Sequence, residues 1–407
     1  MYDLIVVGGG ACGVATAIML KQLNSELSVA VLEKNDRLMK KLAMTGNGRC
    51  NILNRNVTPS RFHGSGKNSA LGLIDEFDFK KQEEFFENLG VPIVYEGDKG
   101  FPFSKQATSV VDCLRFRLDE TGIETFVSTA VKSVVKKNNV FLIETDNETF
   151  NSKAVLIACG SATGGKVGSD SGYHILKSLG HKITELHPSI VQIKTEKDCV
   201  TPLKGIKINA DCRAVSGEKT LKQEYGEVLF CDYGLSGPPI LNLSRTVGYN
   251  KGVVISLDFF SEYSANELRK ILIKRKNNLG SRDCSEFFTG LINKRLGQTV
   301  MKRSNIKLSM SVGVLTLKDI DGLVHTLKNY TVTAVGTNGM ANAQVAAGGA
   351  DISGFDGFLM SKKVSGLFAG GEILDIDGDC GGFNLTYCWA AANKISRGIY
   401  NYLGKQK

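Results

Sequence analysis

The sequence predicts an α/β fold: a Rossmann-like domain carried by both ends of the chain, with a small β-barrel domain and a helical subdomain inserted between. Three observations predict it. The first ~35 residues read as strand, glycine turn, helix and strand. A second glycine cluster appears over 350 residues later, in "GLFAGGEILDIDGDCGGFNL". Between the two lies a run of short strands followed by basic helices.

The opening stretch, "YDLIVVGGGACGVATAIMLKQLNSELSVAVLEKN", places glycines at Gly8, Gly10 and Gly13, a G-x-G-x-x-G spacing. Gly8 permits the tight turn, Gly10 lets backbone approach a pyrophosphate, and Gly13 lets the helix pack on the sheet. Glu33 ends the second strand, twenty residues after Gly13, where a carboxylate can accept hydrogen bonds from a ribose. The helix start brings partial positive charge to the phosphates. A later strand set ends in Ala154–Ala158, with Cys159-Gly160 as its closing turn, and Val131 falls where backbone can meet an adenine.

From about Ser189, "SIVQIKT", "KGIKINADCRAV", "GEVLFCDYG" and "GVVISLDFF" predict a β-barrel, with Ser236-Gly237-Pro238-Pro239 as a rigid turn. "ANELRKILIKRKNN" and "SEFFTGLINKRLGQTVMKR" predict two helices, the second with Phe288, Leu291, Ile292 and Leu296 on one face. A further helix is predicted over 317–327, and "YTVTAVG" as a strand returning to the barrel. The domains expected are 1–188 and 343–407 for the two parts of the nucleotide domain, 189–260 for the barrel, 261–328 for the helical subdomain and 329–342 for the return strand.

The second glycine cluster completes the expected site. The strand Leu367–Ala369 leads to Gly370-Gly371-Glu372, where an acid can bind a polyol, and Gly381-Gly382-Phe383-Asn384 opens the last helix. Free N–H groups at that helix start can stabilise negative charge on a flavin ring. Both ends of the chain then enclose one FAD. No second G-x-G-x-x-G occurs in strand–turn–helix context, so a nicotinamide donor, NAD(P)H, is expected only as a transient reductant. The loop "KKLAMTGNGRCNILN" gathers two glycines, three asparagines, one arginine and one cysteine, and is expected to lie along the cofactor.

Composition narrows the class. Hydrophobic residues make up 42% and charged residues 22%, ordinary for a globular protein, and 45 glycines is high. No targeting signal, no membrane-length apolar run and no Cys/His metal spacing is seen, so a cytoplasmic, metal-free protein with ten free thiols is expected. The net charge is +9, and residues 264–307 hold eleven Lys/Arg against three Asp/Glu, a net of +8. That segment reads as a solvated basic face; it would also attract an anionic small-molecule substrate or RNA, although it offers few aromatics to stack bases. Nucleic acid is therefore not the expected partner, and the oligomeric state is left open.

The stretches "DLIVVGGGACG", "LEKNDRLMKKLAMTGNGRCNILN", "GEVLFCDYGLSGPPILNLS" and "GLFAGGEILDIDGDCGGFNLTYCWAAA" resemble the HI0933/YhiN-type flavoproteins, the BaiN-like family of FAD-dependent oxidoreductases. The resemblance implies a two-dinucleotide-binding-type FAD domain. It puts Gly8, Gly10, Ala11 and Gly13 at the pyrophosphate, Glu33 and Lys34 at the adenosine ribose, and Val131 at the adenine. Lys41, Gly46, Gly48, Arg49, Cys50, Asn51 and Gly160 would line the cofactor, with Gly371, Glu372, Gly382, Phe383, Asn384 and Leu385 toward the ribityl and the ring. It implies reduction of an activated C=C bond in an enone or steroid-like molecule, with amine oxidation as the alternative. An RNA-modifying flavoprotein is the alternative of another class. For the acid or base, Tyr233, Tyr387 and His187 are the candidates.

Overall fold

The computed structural model describes residues 1–405, which divide into two compact units: residues 1–187 with 340 onward, and residues 188–339. In the first unit, Tyr2–Val7 is the central strand, parallel to Val29–Leu32 on one side and to Thr149–Ile157 on the other. Leu4, Ile5, Val6 and Val7 are buried from both faces, as a parallel strand covered by helices requires. The sheet extends to Glu124–Phe126 beyond Val29–Leu32. On the other side the first half of Thr149–Ile157 pairs antiparallel with Val140–Thr145, itself paired with Val131–Lys137, and its second half runs parallel to Leu367–Ala369. That last pairing joins a strand from the end of the chain to the sheet begun at Tyr2.

The first helix, Ala11–Leu23, and the C-terminal helix, Phe383–Gly404, pack closely on this sheet. Both helices are rich in small buried residues: Ala15 and Ala17 in the first, Ala390, Ala391 and Ala392 in the last. Small side chains let two helices approach, and Trp389 then fills the layer beside them, its Nε1 donating to Ile52 O (3.1 Å). The indole would otherwise bury an unpaired donor.

The second unit contains a closed six-stranded barrel in the order Ile193–Thr195, Gly234–Ser236, Lys219–Phe230, Lys207–Ser216, Val254–Asp258 and Tyr330–Thr337. Tyr330–Thr337 closes it by pairing with both Val254–Asp258 and Ile193–Thr195. Three helices follow or interrupt it: Ala265–Asn278, Lys294–Arg303 and Leu317–Lys328. The first and third start on capping boxes, Ser264 with Glu267 and Thr316 with Asp319.

Two segments fold differently from what their sequences predict. Residues 285–303 do not form one helix. Gly290 takes a left-handed φ of +84° and Asn293 caps a new helix by accepting from Arg295 N, so the helix begins only at Lys294. Pro238 and Pro239 are not merely a turn; they occupy the first positions of a helix, Pro238–Tyr249. Proline fits there because the first helical N–H groups have no intrahelical partner, and Ile240, Leu243 and Val247 supply the buried stripe.

Candidate functional site

The N-terminal turn is built by close packing. A Cβ on Gly13 would stand 2.3 Å from Gly8 O and 2.8 Å from Val6 Cγ1, so only glycine lets the first helix sit this near the strand. At Gly10 a Cβ would meet nothing nearer than Ala158 O at 4.0 Å, which leaves that backbone open to a ligand. Ala11 begins the helix. Glu33 is buried and fully engaged: its Oε2 accepts from Gly9 N (2.9 Å) and its Oε1 from Asn35 N (2.8 Å) and Asn35 Nδ2 (2.6 Å). Lys34 reaches across to donate to Gly168 O. Glu33 N donates to Phe126 O and Thr129 N donates to Glu33 O, both 2.8 Å, so the segment leading to Val131 runs alongside the acid.

A second cluster forms where distant segments meet. Lys41 Nζ contacts Glu372 Oε2 (2.5 Å) and Thr163 Oγ1 (2.7 Å), and Ser161 Oγ donates to the same Glu372 oxygen (3.1 Å). Gly160, in a left-handed conformation, precedes Ser161, and a Cβ there would lie 3.9 Å from Glu372 Oε2. Ser161 and Thr163 are buried polar residues that the sequence reading did not single out. Their signal was the small-residue run after a buried strand, the same pattern that marked Gly371 and Glu372.

The loop at 44–51 has unusual backbone. Gly46, Asn47, Gly48 and Cys50 all have positive φ, between +54° and +83°. Cys50 is buried and free, and burial pushes its thiol up to about 11, so it is a neutral packing group. Arg49 is engaged by protein: it pairs with Glu96 (2.6 Å) and its guanidinium lies 4.4 Å from the centre of the Phe101 ring. A phosphate role would require it to leave both.

Asn51 aims at the start of the C-terminal helix. Its Oδ1 is buried with no hydrogen-bond donor, and a Cβ on Gly382, the helix cap at φ +93°, would stand 2.7 Å from that oxygen. Phe383 is the first helical residue, buried edge-on against Phe62 at 6.0 Å. Asn384 is used internally: its Oδ1 accepts from Gly378 N and its Nδ2 donates to Gly378 O, both 2.9 Å. It therefore fixes the loop before the helix. Leu385 packs half-buried in the first turn.

The three acid–base candidates lie on three different segments of the chain. Tyr387 lies in the core of the first unit; its hydroxyl is buried and unpartnered, and burial pushes it well above its ordinary value. His187 begins the short strand His187–Ser189 with Nε2 3.5 Å from Glu185 Oε1. Tyr233 sits on the barrel turn of the second unit, half-buried, its phenol raised chiefly by burial and then by Cys231. In the basic segment Phe287 and Phe288 are both buried and stack edge-on at 5.0 Å, so neither is a platform for bases. Among the described residues no His/Cys/Asp/Glu group could hold a metal, and no helix is long and apolar enough to cross a membrane.

Residues 2–398 match the model of the HI0933-like protein Rossmann domain. The chain belongs to this family. It is 31% identical to the 3-dehydro-bile acid Δ(4,6)-reductase of Clostridium scindens over 98% of each chain. It is 25% identical to the ribosomal RNA dihydrouridine synthase of Haemophilus influenzae, over 95% of this chain and 96% of that one. Among solved structures it shares the fold of the 3-ketosteroid-Δ4-(5α)-dehydrogenase of Rhodococcus jostii RHA1, at TM-score 0.50 and 12% identity, covering 97% of this chain and 96% of that one.

FAD fits what these family residues offer. The acceptor at Asn51 Oδ1 lacks a donor, and a flavin ring carries an N–H donor between two carbonyls on its polar edge. The open backbone at Gly10 suits a pyrophosphate, and the free amides at Phe383 and beyond suit negative charge.

Proposed function

We propose that this chain is an FAD-dependent oxidoreductase that reduces an activated C=C bond of a small enone or steroid-like substrate. The observation that carries this reading is the end-to-end 31% identity to a bile-acid reductase. FAD, when bound, supplies two-electron hydride chemistry. The chain's own residues do the rest. The turn at Gly8–Gly13 and Glu33 hold the adenosine end, and half-buried Lys41 and Glu372 with buried Ser161 and Thr163 present a polar wall toward the ribityl. Asn51 and the helix start at Gly382 fix and polarise the ring end. NAD(P)H serves as the transient donor.

The test is anaerobic turnover of purified protein with NADH or NADPH and a panel of enones. Donor oxidation coupled to loss of the enone supports the reading. Oxygen-dependent peroxide release with amines, and none with enones, contradicts it in favour of amine oxidation.

A second reading is favoured by two observations: the relatives named ribosomal RNA dihydrouridine synthase, and the +8 segment at 264–307. Dihydrouridine differs from uridine by reduction of a ring C=C bond, so the chemistry would be the same with RNA as the carrier. With Phe287 and Phe288 buried, binding there would rest on phosphate contacts. A gel shift with ribosomal RNA fragments across a salt series separates the two.

A further inference from the structure

Tyr387 lies in the first turns of the C-terminal helix, but its buried hydroxyl has no hydrogen-bond partner to tune it. A different side chain near that helix start has one. The two-residue strand Phe62–His63 pairs antiparallel with Asp377–Gly378, and Gly378 is the residue clamped by Asn384 in the first turn of that helix. Phe62 packs edge-on against Phe383. His63 follows Phe62 in the strand, so its backbone adjoins that contact while its side chain lies on the strand's other face, with Asp377.

Its surroundings are those of an oriented imidazole. His63 Nε2 lies 2.9 Å from Asp379 Oδ1, and the Asp379 side chain is 4% exposed. Arg61 reaches the other oxygen, Oδ2, at 3.2 Å, and Asp379 N donates to Arg61 O at 2.9 Å. The carboxylate is thus held from two sides and cannot swing away from the ring. Asp379 accepts only, so Nε2 must carry its proton, and Nδ1 is left as the nitrogen that exchanges. Among the described residues nothing pairs with Nδ1, and the His63 side chain remains 22% exposed. A buried acid fixing one nitrogen while the other faces outward is the geometry of a general acid–base histidine.

Building on the reductase reading above, we propose that His63 is the proton donor of the C=C reduction, with Asp379 and Arg61 as its positioning residues. The substrate π bond breaks. One carbon would receive a hydride, and with it two electrons, supplied by the nicotinamide donor by way of the bound FAD. The other carbon receives the Nδ1 proton of the His63 imidazolium, which is left neutral and is reprotonated from solvent. Asp379 fixes which nitrogen gives the proton.

The test compares holoenzyme of the wild type, His63→Gln and Asp379→Asn. Each is reduced anaerobically with dithionite, then mixed with an enone or with benzoquinone, whose reduction needs no proton at carbon. His63→Gln is expected to slow re-oxidation by the enone by at least ~100-fold while the benzoquinone rate and the flavin content stay at wild-type values. Nitrogen-15 NMR of the neutral wild-type ring should show the Nε2–H tautomer, shifted toward a mixture in Asp379→Asn. Equal enone rates in wild type and His63→Gln overturn the proposal, as does equal slowing with both oxidants or an Nδ1–H tautomer. A wild type that ignores every enone overturns the reductase reading itself, and the role of His63 with it.

Discussion

The turn at residues 8–13 and the loop at residues 44–51 are both glycine-rich, and they use glycine differently. In the first, glycine removes a side chain so that strand, helix and neighbouring backbone can close up; every polar group of Glu33 beside it is already paired within the protein. In the second, glycine and asparagine supply left-handed backbone, and one acceptor, Asn51 Oδ1, is left buried without a donor. The acid beside the turn is satisfied without a ligand, and the amide of the loop is not. A buried unpaired acceptor costs about 1–3 kcal/mol, which a ligand donor recovers. The difference teaches where FAD should couple to stability: at the loop, more than at the turn.

That comparison can be broken in order of expected effect. Gly13→Val should be the most damaging change, because its side chain would start 2.3 Å from Gly8 O. A loss of ~3 kcal/mol or more is expected in urea unfolding of the flavin-free protein, or failure to fold. Glu33→Ala removes three accepted hydrogen bonds and leaves Gly9 N without its partner. It should cost about 2 kcal/mol even without FAD, and also lower flavin retention.

Asn51→Ala should behave oppositely. The flavin-free protein should keep its stability within about 0.5 kcal/mol or gain slightly, since an unpaired acceptor is removed, while FAD affinity should fall roughly tenfold. A large loss of flavin-free stability would show that the loop is as self-contained as the turn.

The smallest effect comes from a buried orphan with no expected ligand. His181 is buried, stacked on Phe355 at 4.4 Å, with Nε2 on Ser361 Oγ (2.8 Å) and Nδ1 unpaired. Burial, then Lys363, holds it below the ordinary 6.5. The unfolded chain therefore takes up this proton before the folded one does. Stability supported by the neutral ring is present above about pH 6.5 and lost as pH falls below it. Melting temperature should fall from pH 7 to pH 5 in wild type and fall less in His181→Phe, with FAD affinity unchanged in both.

Much of this was legible in the sequence because local rules governed it. Strand, glycine turn, helix and acid follow one another within 33 residues, and each spacing has one physical reading. The strand Leu367–Ala369 and the helix start at Phe383 were equally local. What was not legible depended on distant pairing. The Lys41–Glu372 contact joins residues 331 apart, and the His63–Asp379 pair joins residues 316 apart. No periodicity signals either. The helix Pro238–Tyr249 was hidden by two prolines that read as a turn, and the break at Gly290–Asn293 by apolar residues that happened to keep helical spacing.

The most direct test is calorimetric titration of FAD into flavin-stripped wild-type protein. The account predicts saturable binding of one FAD per chain, with a rise in melting temperature on saturation. A folded protein that takes up no FAD, and whose melting is indifferent to it, would contradict the account.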